Sequence, residues 1–214
     1  MGTESIEASF LSIFALVSFF IFLIVSKYSQ KINNGVLLDV DLKKPQAFHD
    51  TPVTRSGGLA AIISLSIFFG IFYILYSKIL YEYIFICYTM FVIGFLDDLK
   101  IRIKPLIRLL IMIISLFILV YLLQIKILNM DISFLIPLMN IEFFSSLFVL
   151  LCFFFIINGS NLIDGFNGLL VINVIIINIV LTYININSAN YEFSFFLISQ
   201  IIILLSFLLF NFPS

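Results

Sequence analysis

Three short polar segments interrupt an otherwise apolar chain, and their residue types suit a phosphate and a divalent cation. In INGSNLIDGFNGLL (157–170), Asn158, Asn161 and Asp164 recur at i, i+3 and i+6, which lines them along one helix face. Polar and ionisable groups at membrane depth are costly unless they face a cavity or a partner. Gly165 and Gly168 follow, where backbone would approach a ligand. The plainer alternative is asparagines that hold helices together, or a simple helix break at the interface. In GFLDDLKIRIKP (94–105), Asp97 and Asp98 close an apolar run at what would be a helix C-terminus. The helix dipole disfavours carboxylates there, so Lys100 and Arg102 or a bound Mg²⁺ would have to compensate. Adjacent helical residues project about 100° apart, so a shared metal would need a bent helix end, or two ligands would divide the work. In DLKKPQAFHDTPVTRSGGLAA (41–61), the only histidine, His49, precedes Arg55 and the pair Gly57-Gly58. Glycines at a helix entrance expose backbone N–H groups to a phosphate, and Arg55 could pair with it bidentately. A basic, solvated loop is the bland reading of the same residues.

The elements that must position these residues are membrane helices. Of 214 residues, 63% are hydrophobic and only 11% charged, with a mean hydropathy of +1.23. Soluble domains carry about 25% charged residues, so neither an ordinary globular domain nor a disordered chain fits. The net charge of −1 gives no basic surface for nucleic acid. Crossing a bilayer takes about 20 apolar residues. Runs near 8–26, 58–76, 80–97, 107–123, 144–163, 168–185 and 193–212 predict an all-α polytopic bundle of about seven spans in one integral-membrane domain. The first run follows Glu4 and Glu7 rather than a basic segment and reads as a retained span, not a signal peptide. Cys87 and Cys152 lie in apolar runs without metal-like spacing and read as packing residues. Segments 27–57 and 97–108 hold nine of the 11 basic residues, and Lys78 and Lys126 remain for the other side. The positive-inside rule then puts the N-terminus outside and the C-terminus at the cytoplasmic face. All three polar segments would fall at that cytoplasmic mouth. Segment 124–143 would lie on the outer side, along the interface, with no function assigned. Carboxylates with amide oxygens suit Mg²⁺ and substrate phosphates. A metal–phosphate site at a membrane surface suggests joining a nucleotide-activated donor to a lipid acceptor.

In HDTPVTRSGGLA, GFLDDL and NGSNLIDGFNGL, in that order, the chain resembles the polyprenyl-phosphate N-acetylhexosamine-1-phosphate transferases of glycosyl transferase family 4. The resemblance spans effectively the whole chain. It implies a phosphoryl transfer in which the lipid phosphate attacks the β-phosphorus of a UDP-amino sugar and UMP leaves, beginning a cell-envelope glycan. It implies Mg²⁺ (or Mn²⁺) as cofactor, with Asp98 and Asp164 as metal ligands, and Asp97, Asp98 and Asp164 as the catalytic set. His49, Arg55, Gly57, Gly58, Asn158, Asn161 and Asn211 would bind substrate. Asp97 would handle the lipid phosphate, as base or as ligand. The H-x-x-P-x-x-R-x-G-G form looks closer to N-acetylglucosamine-type transferases than to those for the muramyl pentapeptide. The implied partners are a UDP-amino sugar, polyprenyl phosphate and membrane lipid, with a homodimer or a separate C-terminal half as protein partner. The implied location is the bacterial inner membrane, with the active face cytoplasmic. The chain ends at FNFPS, where the family continues into an M-G-D-x-G motif and a histidine-bearing loop. A truncated chain, a split enzyme and a non-catalytic membrane subunit are the expectations that follow. A transporter using the Asn158–Asp164 stripe is the rival from another class; it predicts polar groups at mid-bilayer rather than at one face.

Overall fold

The computed structural model describes residues 3–29, 38–39, 53–54, 56–98, 104–127, 132–163 and 168–211. Among them the apolar runs fold as seven long helices: α1 (Thr3–Ser29), α2 (Gly57–Tyr76), α3 (Tyr81–Asp98), α4 (Pro105–Leu122), α6 (Glu142–Ile163), α7 (Leu169–Asn187) and α8 (Tyr191–Asn211). A four-residue helix, α5 (Ile136–Met139), lies between α4 and α6. Five helices, α1, α2, α6, α7 and α8, are long and apolar enough to cross a membrane, while α3 and α4 carry shorter apolar stretches.

Local chemistry sets the helix ends. Pro105 occupies the first turn of α4, where its missing N–H costs nothing. Ser77 ends α2 in the left-handed region at φ 51°. Gly168 enters α7 at φ 78°, a conformation that glycine adopts without steric cost. The α7–α8 turn passes through Ala189 at φ 56°, and the Asn190 side chain then accepts a hydrogen bond from Phe193 N at 3.4 Å to cap α8.

The entirely helical expectation needs one addition. Leu38–Asp39 pairs antiparallel with Val53–Thr54 (β1 and β2), in the register Leu38↔Thr54 and Asp39↔Val53. Two residues per strand are too few for any alternation to register in a sequence.

Most of the core lies where α1, α2 and α8 meet. Phe14, Phe22, Phe68, Phe72, Phe195 and Phe196 are buried there. Phe68 centres the cluster, 5.6 Å from Phe14 and 5.5 Å from Phe195, ring to ring. Ser18, Ser64 and Ser199 are fully buried, and such small residues let membrane helices approach closely. On the other side of α8, Asn178 Nδ2 of α7 donates to Gln200 Oε1 at 3.2 Å. Tyr88 of α3 and Ser66 of α2 share a short hydrogen bond.

Candidate functional site

The inter-helix contacts decide which ends lie together. Phe22, near the end of α1, packs its ring 6.2 Å from Phe207 and 6.3 Å from Phe210, near the end of α8. The ring of Phe207 also covers the first residue of α2. The short connections 77–80 and 188–190, with the mid-helix pairs Ser66–Tyr88 and Asn178–Gln200, make α2–α3 and α7–α8 antiparallel. The ion pair Lys126–Glu142 at 3.4 Å joins the end of α4 to the start of α6. One bundle end therefore collects the starts of α2, α4 and α7 and the ends of α1, α3, α6 and α8.

That end holds the sequence-predicted residues wherever the structure describes them. Gly57 and Gly58 are the first two residues of α2, with Ser56 as N-cap. Asp97 and Asp98 are the last two of α3. Asn158 and Asn161 lie in the closing turns of α6, and Asn211 ends α8. His49, Arg55 and Asp164 lie outside the described residues. Of the expected stripe of three on one helix, α6 (Glu142–Ile163) carries Asn158 and Asn161, and Asp164 lies outside the described residues. Asn158 Nδ2 donates to Phe154 O at 2.8 Å, so one amide N–H bonds its own helix, and the second N–H and Oδ1 are not used by that bond. Ser160 likewise bonds its own helix, to Ile157 O at 2.7 Å.

The paired glycines have different jobs. A Cβ at Gly57 would overlap the ring of Phe207, whereas one at Gly58 meets nothing within 4 Å. Gly57 is thus explained by packing, which sequence reasoning missed because the partner lies 150 positions away. Gly58 is half of the pair that leaves open space at a helix entrance.

Electrostatics separate this end from the other. The first turns of α2, α4 and α7 contain no acidic residue. Their N-terminal N–H groups are unmatched within the helix, so each start is a positive dipole end with no acidic residue in its own first turn. The two carboxylates at this end of α3 sit at a helix C-terminus, with no basic residue in that last turn. At the opposite end, α3, α6 and α8 each begin with an acidic residue in the first turn: Glu82, Glu142 and Glu192. Among the described residues, no cluster of three or more His, Cys, Asp or Glu side chains could hold a metal ion. The donors the sequence supplies at the site end, carboxylate and amide oxygens, are of the hard type that Mg²⁺ takes.

The family model for glycosyl transferase family 4 matches residues 80–214. That range includes the aspartate pair and the 157–170 segment, and begins after the His49–Gly58 segment. Neither the curated proteins nor the solved structures provide a match. The matched range covers well over half of the chain, and the apolar helices agree with a membrane enzyme of this kind. The chain belongs to glycosyl transferase family 4, the membrane transferases that move phospho-sugars onto polyprenyl phosphate.

Proposed function

We propose that the chain transfers an amino-sugar 1-phosphate, N-acetylglucosamine or a related sugar, from a UDP-sugar to polyprenyl phosphate in a bacterial inner membrane. The observation that carries the reading is the charge pattern of one bundle end: three helix N-termini without acidic first turns beside a helix C-terminus bearing Asp97 and Asp98. Uncompensated N-termini attract phosphates, and carboxylates at a C-terminus call for a cation. A Mg²⁺-bound diphosphate answers both needs at once. In this reading the bundle crosses the membrane seven times, with the N-terminus outside and this end in the cytoplasm, where segments 27–57 and 97–108 concentrate the basic residues.

A lipid phosphate oxygen attacks the β-phosphorus of the UDP-sugar, the bond to the bridging oxygen breaks, and its electron pair leaves on UMP. Such transfers depend on positioning and charge neutralisation more than on covalent help. Asp98 and Asp164 would hold a Mg²⁺, which would supply charge neutralisation on the diphosphate. Asp97 orients the lipid phosphate, which is already ionised at neutral pH and hardly needs a base. The Gly58 N–H and the Arg55 guanidinium bind phosphate oxygens. Oδ1 of Asn158, with Asn161 and Asn211, accepts from the nucleotide-sugar, and His49 borders the donor.

The test is an exchange assay on the purified chain in lipid, with UDP-N-acetylglucosamine, polyprenyl phosphate and Mg²⁺. Labelled UMP should enter the UDP-sugar pool once sugar-lipid has formed, and chelation should stop it. A folded chain that gives no exchange with either N-acetylglucosamine or muramyl-pentapeptide donor would overturn the reading.

A further inference from the structure

At the end of the bundle away from Asp97 and Asp98 lies a cavity of about 620 Å³ between the end of α4 and the start of α6. Its size falls within the roughly 300–1,000 Å³ that small ligands occupy. Phe117, Val120 and Phe143 form an apolar wall, and Gln124, Lys126 and Glu142 form a polar rim. Lys126 and Glu142 face each other across 3.4 Å, with side chains 43% and 88% exposed. An exposed ion pair of this kind contributes little stability and is readily opened by a ligand that offers each charge a partner. Beside the rim, the segment around α5 turns Phe134, Ile136 and Ile141 outward, with Phe143 after it. Apolar side chains displayed beside charged ones at the end of a membrane helix belong at the headgroup–acyl boundary.

We propose that this cavity is a binding site for a zwitterionic glycerophospholipid whose headgroup carries a primary ammonium. The lipid phosphate takes Lys126, the ammonium takes Glu142, and the first part of one acyl chain lies against Phe117 and Phe143. An anionic headgroup would satisfy Lys126 but set its charge beside Glu142. A quaternary ammonium brings charge without N–H donors for the carboxylate, and charge-assisted hydrogen bonds are the strong ones. The site is independent of the transferase reading and requires only that the bundle span a bilayer.

The test is native mass spectrometry of the full chain in detergent, after incubation with equal amounts of phosphatidylethanolamine, phosphatidylcholine and phosphatidylglycerol. Retention of phosphatidylethanolamine over either competitor should be about tenfold, the ratio expected for one charge-assisted hydrogen bond. Glu142→Gln should bring phosphatidylethanolamine and phosphatidylcholine to parity. Ser146→Phe, which fills the cavity, should lower retention of all three. Equal retention by the wild-type chain, preference for phosphatidylglycerol, or a phosphatidylethanolamine preference that survives both substitutions would each overturn the proposal.

Discussion

The two ends of this bundle are built from the same helices and solve their electrostatics in opposite ways. At the far end, the starts of α3, α6 and α8 carry Glu82, Glu142 and Glu192. Glu192 pairs with Lys78 at 2.6 Å, Glu142 with Lys126 at 3.4 Å, and Glu7 accepts from Tyr76 Oη at 2.8 Å. Helix dipoles and side chains there neutralise one another within the chain. At the site end the starts of α2, α4 and α7 lack acidic residues, and α3 finishes on two aspartates. In the proposed reading, a bound anion would answer the former and a cation the latter. In that reading the far end balances its helix starts within the chain, whereas the Asp97–Asp98 end would be completed by a bound diphosphate and its metal.

The sharpest way to break the comparison is to remove the site end's demand for a cation. Asp98→Asn and Asp164→Asn should each reduce exchange by about 100-fold or more, with helix content by circular dichroism unchanged. Wild-type-like turnover from either variant would contradict the site assignment. Next in size, Gly58→Glu gives α2 the acidic first turn found at the far end. The space around Gly58 admits the side chain, and the dipole would favour it by about 0.3–1 kcal/mol. Thermal stability should hold or rise while KM for the UDP-sugar increases about tenfold; an unchanged KM would remove this helix start from the phosphate site.

Gly57→Ala separates packing from binding within the same pair. Overlap with Phe207 should cost about 1–3 kcal/mol, read as a lowered midpoint in thermal unfolding, and Phe207→Leu in the same chain should restore most of it. A cost that persists in the double variant would mean that Gly57 serves something other than this contact. Smallest of all, Glu192→Gln at the far end should cost about 0–1 kcal/mol, as exposed pairs do, and leave the exchange rate unchanged.

The seven apolar runs could be read from hydropathy alone, because nothing but a helix satisfies the backbone over such lengths in lipid. Their breaks were legible where glycine or proline marked them, as at Gly168 and Pro105. The strand pair Leu38–Asp39 with Val53–Thr54 and the single turn of α5 were not, since elements of two and four residues carry no periodicity. The candidate site was legible as residue types but not as geometry. Nothing local to Gly57 announces Phe207. The spacing of Asn158 and Asn161 places both on α6, while Asp164, the third member of the expected stripe, lies outside the described residues. The contrast in first-turn acids lies openly in the sequence, yet it acquires meaning only once helix starts and antiparallel pairings are known.

The most direct test of the contrast is electron paramagnetic resonance of Mn²⁺ added to the purified chain with UDP, comparing wild type, Asp98→Asn and Glu142→Gln. The expected result is a bound Mn²⁺ signal that requires UDP, disappears in Asp98→Asn and persists in Glu142→Gln. Binding that survives Asp98→Asn, or that is lost in Glu142→Gln, would contradict the assignment of the metal–diphosphate site to this end of the bundle.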